Sequence, residues 1–88
     1  MKEFKDKPRA LSAIAREALT SATLKGNTKA SAGAYLAPMT NLDTVDDMYG
    51  ADSGRHIVMY ALANLSGWRG DDARRIKAEL NAHLKGSA

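Results

Sequence analysis

Gly70-Asp71-Asp72-Ala73-Arg74-Arg75-Ile76-Lys77-Ala78-Glu79-Leu80-Asn81-Ala82-His83-Leu84-Lys85-Gly86 is the most legible segment of this 88-residue chain. Ala73, Ile76, Leu80 and Leu84 recur at spacings of three, four and four, which lines them up as one apolar stripe on a helix. Asp71 and Asp72 put negative charge at the positive end of that helix, Lys85 puts positive charge in its last turn, and Gly86 stops it. His83 flanks the stripe and reads as a half-buried packing residue.

Just upstream, residues 54–66 form a second helical segment started by Asp52 or Ser53 and ended by Gly67. Ile57, Val58, Met59, Tyr60, Ala61, Leu62, Ala63 and Leu65 leave it hardly any polar side, the pattern of a helix buried at the centre of its domain. Asn64 shares a face with Ile57, Tyr60 and Ala61, so burial would require a partner for its amide.

Toward the N-terminus, Pro8 suits the first turn of another helix. Leu11, Ile14, Ala15, Ala18 and Ala22 give it a narrow stripe of small residues, and Gly26 reads as its left-handed stop. Between these helices the pattern is weaker. Thr28 can cap a short helix through Leu36, which Pro38 ends or kinks. Residues 41–50 form another short helical candidate, capped by Asn41 or Asp43 and stopped by Gly50. Strand alternation is nearly absent. The expectation is an all-α protein, a small compact bundle of four to five short helices in a single domain over residues 1–88, with residues 1–7 as a loose N-terminal arm.

Composition removes several functional classes. The chain has no cysteine, so disulfides, thiol catalysis and thiolate metal sites are out. Its longest apolar run, residues 57–63, is far short of the ~20 needed to cross a bilayer, so no membrane partner is expected. The two histidines, His56 and His83, stand on different helices outside any metal-ligand spacing. Asp43, Asp46 and Asp47 lack the alternating ligands, glycine and final glutamate of a calcium loop. The segment Gly50-Ala51-Asp52-Ser53-Gly54 has no following lysine, and Asp52 places an anion where a phosphate would sit. An acid–base pair such as Asp52 with His56 can be drawn, but that spacing mostly orients a ring, and nothing joins the pair into a constellation. The expectation is a protein with no catalytic residue, cofactor or metal.

Charge layout is the informative feature for function. Net charge is +3, too mild to prove a nucleic-acid partner. Residues 39–54 nevertheless carry Asp43, Asp46, Asp47 and Asp52 with no Lys or Arg, while Arg69, Arg74, Arg75 and Lys77 make the chain basic further on. Such a dipolar layout can steer a charged partner, mediate self-association, or simply neutralise itself across the fold. Trp68, the sole tryptophan, lies beside Arg69 between the last two helices. It reads as a plug between helix ends or, with Arg69, as an interface anchor, because Trp and Arg dominate binding hot spots.

These features point to a small non-catalytic interaction protein, with Asp43, Asp46, Asp47, Trp68 and Arg69 as candidate contact residues. Its style suits a cytoplasmic accessory protein of a bacterial or phage-infected cell, one that inhibits or redirects a host factor. The alternative is a helix-turn-helix binder of nucleic acid using Arg69, Arg74, Arg75, Lys77 and Lys85 on the last helix. Asp71 and Asp72 oppose that alternative, since they would repel phosphate and pair locally with Arg74 and Arg75.

Overall fold

Helix α1 (Leu11–Thr20) buries Leu11, Ile14, Ala15 and Ala18 on one face, and the alanines let its neighbours approach closely. The computed structural model describes residues 9–86, so Pro8 and the arm expected over residues 1–7 lie outside it. The helix opens at Leu11 and stops well before Gly26. Thr20 donates its hydroxyl to the carbonyls of Arg16 and Glu17, and Ser21 Oγ accepts the backbone N–H of Thr23 at 3.4 Å. Hydroxyl side chains that bond nearby backbone compete with helix continuation. Ala22, expected on the buried stripe, is exposed.

No side chain caps the start of α1. Its unpaired first-turn amides are instead met from a distance: Leu11 N–H donates to Asp43 O at 2.9 Å and Ser12 N–H to Leu42 O at 2.8 Å.

Helix α2 (Gly26–Met39) is longer than the sequence pattern predicts, beginning before Thr28 and running beyond Leu36. Gly26 does adopt a left-handed φ of 68°, but it starts α2 rather than ending α1. Pro38 sits in the final turn, where the helix ends one residue later and Thr40 Oγ1 donates back to Ala37 O at 2.6 Å.

Residues 41–50 are not helical. The Asp47 carboxylate accepts the backbone N–H groups of Asp43 at 2.8 Å and Thr44 at 3.1 Å, closing a turn pinned to the core by Leu42 and Val45. An antiparallel hairpin follows, β1 (Met48–Tyr49) with β2 (Asp52–Ser53), in the register Met48↔Ser53 and Tyr49↔Asp52. Its two-residue loop has Gly50 at φ 62°, a geometry that hairpin loops reserve for residues tolerant of positive φ. The architecture is therefore four helices plus this short hairpin.

Helix α3 (Gly54–Asn64) begins as the sequence predicts, with Ser53 Oγ accepting the N–H of His56 at 3.2 Å. It buries Gly54, Ile57, Val58 and Ala61, yet it is not enclosed. The described chain is a slab of 35 × 33 × 18 Å, thin enough for only two helix layers at a spacing of ~10 Å. Met59 and Tyr60 stay about half exposed as a result. Asn64, also partly exposed, donates to Tyr60 O one turn back.

Helix α4 (Asp71–Gly86) carries the expected stripe, with Ala73, Ile76 and Leu80 buried and Leu84 partly so. Helix α2 packs most extensively on α3, while α1 bridges α2 and α4. Leu36, Met39, Leu65 and Trp68 complete one continuous core among these elements.

Candidate interaction surface and basic cavity

The elements leave two surface features outside the core and one polar network at its edge. The network joins α1 to α4. Arg9 donates through Nε to Glu79 Oε1 at 2.7 Å and through an Nη to Glu17 Oε1 at 2.8 Å. Arg75 donates to Glu79 Oε2 at 3.1 Å and also pairs with Glu17. Glu79 is only 3% exposed, so two guanidiniums compensate a carboxylate that would otherwise be costly to bury. Hydrogen bonds from Arg75 and then Arg9 hold the Glu17 carboxyl at about 2, against an ordinary 4.5. Hydrogen bonding to Glu79 and then Glu17 raises the Arg9 pKa, and the bond to Glu17 raises that of Arg75. His83 is buried rather than half-buried, its Nε2 lying 2.6 Å from Arg9 O.

The first surface feature is aromatic. The ring centroids of Tyr35 on α2 and Tyr60 on α3 are 5.4 Å apart at a tilt of 41°, and those of His56 and Tyr60 are 6.2 Å apart. Met59 continues this exposed side of α3, and Met48 and Tyr49 are exposed on the hairpin that runs directly into it. Tilted pairs at such separations are favourable ring geometries.

The second is a cavity of about 180 Å³ at the α3–α4 turn, lined by Ser66, Trp68, Arg69, Gly70, Ala73, Arg74 and Lys77. Lys77 donates to Trp68 O at 2.7 Å. Burial and then the nearby Arg69 charge lower the Lys77 pKa.

The residues singled out in the sequence are distributed unevenly over these features. Asp43 and Asp46 are exposed, whereas the Asp47 carboxylate is spent on its own turn, whose two amides lower its pKa. Trp68 is 3% exposed, with its indole N–H donated to Thr23 Oγ1 at 2.9 Å, so its ring fills the plug role and presents no anchor to a partner. Arg69, Arg74 and Lys77 meet at the cavity. Arg75 is diverted into the α1–α4 network, and Lys85 is exposed in the last turn of α4 away from the cavity lining. Arg74 pairs with Asp71, as their spacing predicts.

Arg9, Glu17 and Glu79 escape sequence reasoning because their partners are brought together only by the fold. The Tyr35–Tyr60 pair escapes it because the pattern over residues 57–65 implies burial. Among the described residues, no hydrogen bond joins Asp52 to His56, no group of three His, Asp or Glu side chains could hold a metal ion, and no helix is long and apolar enough to cross a membrane. Comparison with known proteins finds no matching family, no matching curated protein and no matching solved structure.

Proposed function

We propose that this chain is a small non-catalytic binding protein whose partner is another protein, held on the face formed by Tyr35, His56, Met59 and Tyr60 and extended by Met48 and Tyr49. The observation that carries this reading is the exposure of Met48, Tyr49, Met59 and Tyr60, at 59, 46, 48 and 53%, while the other large apolar side chains among the described residues are buried or partly buried. Aromatic residues and methionine are the types enriched at protein interfaces. Contiguous exposed apolar surface is otherwise uncommon on small soluble domains.

The hairpin also sets the partner's charge. Asp46 and Asp47 directly precede Met48, and Asp52 pairs with Tyr49 across the hairpin. An apolar contact bordered by carboxylates favours a partner with an apolar anchor and a basic rim. Modulation of a host factor in a bacterial or phage-infected cytoplasm is the setting in which such a protein fits. The nucleic-acid alternative is less well supported, because Arg75 is committed to Glu17 and Glu79.

Photo-crosslinking in an extract of the source cell tests the reading. A photoreactive residue at position 60 or 49 should capture one protein, and Met59→Ser should abolish capture without lowering the melting temperature. Capture should also weaken when Asp46 and Asp52 are both changed to Asn. Equal capture from a probe at exposed position 29, or capture indifferent to Met59→Ser, rejects this face.

A further inference from the structure

The cavity at the α3–α4 turn has three cations and no carboxylate in its lining. Arg69, Arg74 and Lys77 line it, together with Ser66 and Gly70. Among the described residues, no carboxylate lies within ion-pair distance of Arg69 or Lys77. Arg74 has Asp71, but that aspartate is 95% exposed, so water screens the pair and an incoming anion can compete for the guanidinium.

Lys77 is held in place rather than free. It donates to Trp68 O, and Trp68 is itself fixed by its buried ring, by its indole bond to Thr23, and by its own N–H on Leu65 O at 2.9 Å. An ammonium has three donors, so two remain available beside the guanidinium of Arg69. Lys77 is partly buried and Arg69 exposed beside it; two like charges kept together oppose each other, and a bound anion would relieve that opposition.

We propose that this cavity is a binding site for a phosphate group, taken up by Arg69 and Lys77 with Arg74 and the Ser66 hydroxyl completing the donor set. Several donors lining one cavity suit a tetrahedral oxyanion, and guanidinium groups match phosphate oxygens in pairs. The site is separate from the aromatic face and does not depend on the protein-binding reading. The phosphate can belong to a small phosphate compound or to a nucleic-acid backbone, and the test separates these sources.

The test is a titration of the full chain, ¹⁵N-labelled, with inorganic phosphate against sodium chloride at matched ionic strength, followed by amide chemical shifts. Saturable shifts should be confined to residues 66–77, and Arg69→Gln with Lys77→Met should weaken phosphate binding at least about tenfold, the scale of lost charge-assisted hydrogen bonds. Arg69→Gln alone, at an exposed position outside the core, should weaken binding in the same direction and leave the spectrum otherwise folded. Linear shifts that chloride reproduces, or an affinity unchanged in both variants, overturn the site. A short DNA duplex forms the second arm. Tighter binding of the duplex than of inorganic phosphate through these same residues assigns the phosphate to a nucleic-acid backbone, and phosphate binding without such a gain assigns it to a small compound.

Discussion

Arg9 and Glu79 stand 70 positions apart in the chain, and Nε of the arginine donates to Oε1 of the glutamate at 2.7 Å. The Glu79 side chain is buried while that of Arg9 is 43% exposed, so the two ends of this bond face different dielectric surroundings. Arg75 approaches the same carboxylate from its own helix at 3.1 Å.

The network should therefore respond unequally to truncation. Arg9→Ala leaves Arg75 on Glu79 and should cost about 1 kcal/mol. Removing both arginines strands a buried carboxylate and should cost about 3 kcal/mol or more, beyond the sum of the single changes. Glu79→Met leaves two arginines that can still use Glu17 and water, and should cost less than the double arginine change. Urea unfolding of Arg9→Ala, Arg75→Ala, the double variant and Glu79→Met decides this, and simple additivity would refute it.

Glu17 sets a pH dependence. Its folded pKa of about 2 lies below the ordinary 4.5, so the unfolded chain binds this proton first as pH falls. The stabilisation is present above about pH 4.5, and it is lost as pH falls from there through about 2. The melting temperature should decline over that window, less steeply in Glu17→Gln. Added salt should lessen the difference, because both arginine partners are partly exposed. Identical acid profiles for the two proteins would argue against this assignment.

Trp68 should report on the core. Thr23→Val keeps the shape but removes the acceptor of the indole N–H, a loss of about 1–2 kcal/mol. Trp68→Ala empties a large buried volume and should cost about 3–5 kcal/mol. In Thr23→Val the single tryptophan should keep the blue-shifted emission of a buried ring while its denaturation midpoint falls. An unshifted midpoint would mean the bond contributes nothing net.

Gly54 is confined by space. A Cβ there would lie 2.8 Å from Thr44 O and 3.0 Å from Val45 Cα, and both are backbone atoms of the turn whose Asp47 carbonyl accepts the Gly54 N–H at 2.7 Å. Gly54→Ala should destabilise by about 2 kcal/mol despite alanine's higher helix propensity. Gly33→Ala, where nothing lies within 4 Å of the added carbon, should be neutral or stabilising. Thermal unfolding of the pair provides the comparison.

The stripes of α1 and α4 and the Ser53 cap of α3 are legible in the sequence because local spacing and local chemistry determine them. Residues 41–53 are not, because Asp47 reaches back to two amides that a helix would have used, and that competition has no periodic signature. The α3 face is misread for a different reason: apolar content around a helix implies burial only where there are enough layers to cover it. The basic residues of α4 are visible as a group. Which of them are committed depends on Glu17 and Glu79, whose roles arise only when α1 lies against α4.

The loop carbonyls that close the first turn of α1 also bear on the order in which the molecule assembles. Leu11 and Ser12 depend on Asp43 and Leu42, which leave the ribosome only after all of α2 has been made. A short isolated helix is marginal in water, and this one also lacks a cap of its own. Its stable formation is thus deferred until the chain has turned back on itself, and α1 should gain protection from hydrogen exchange together with the 42–47 turn rather than ahead of it.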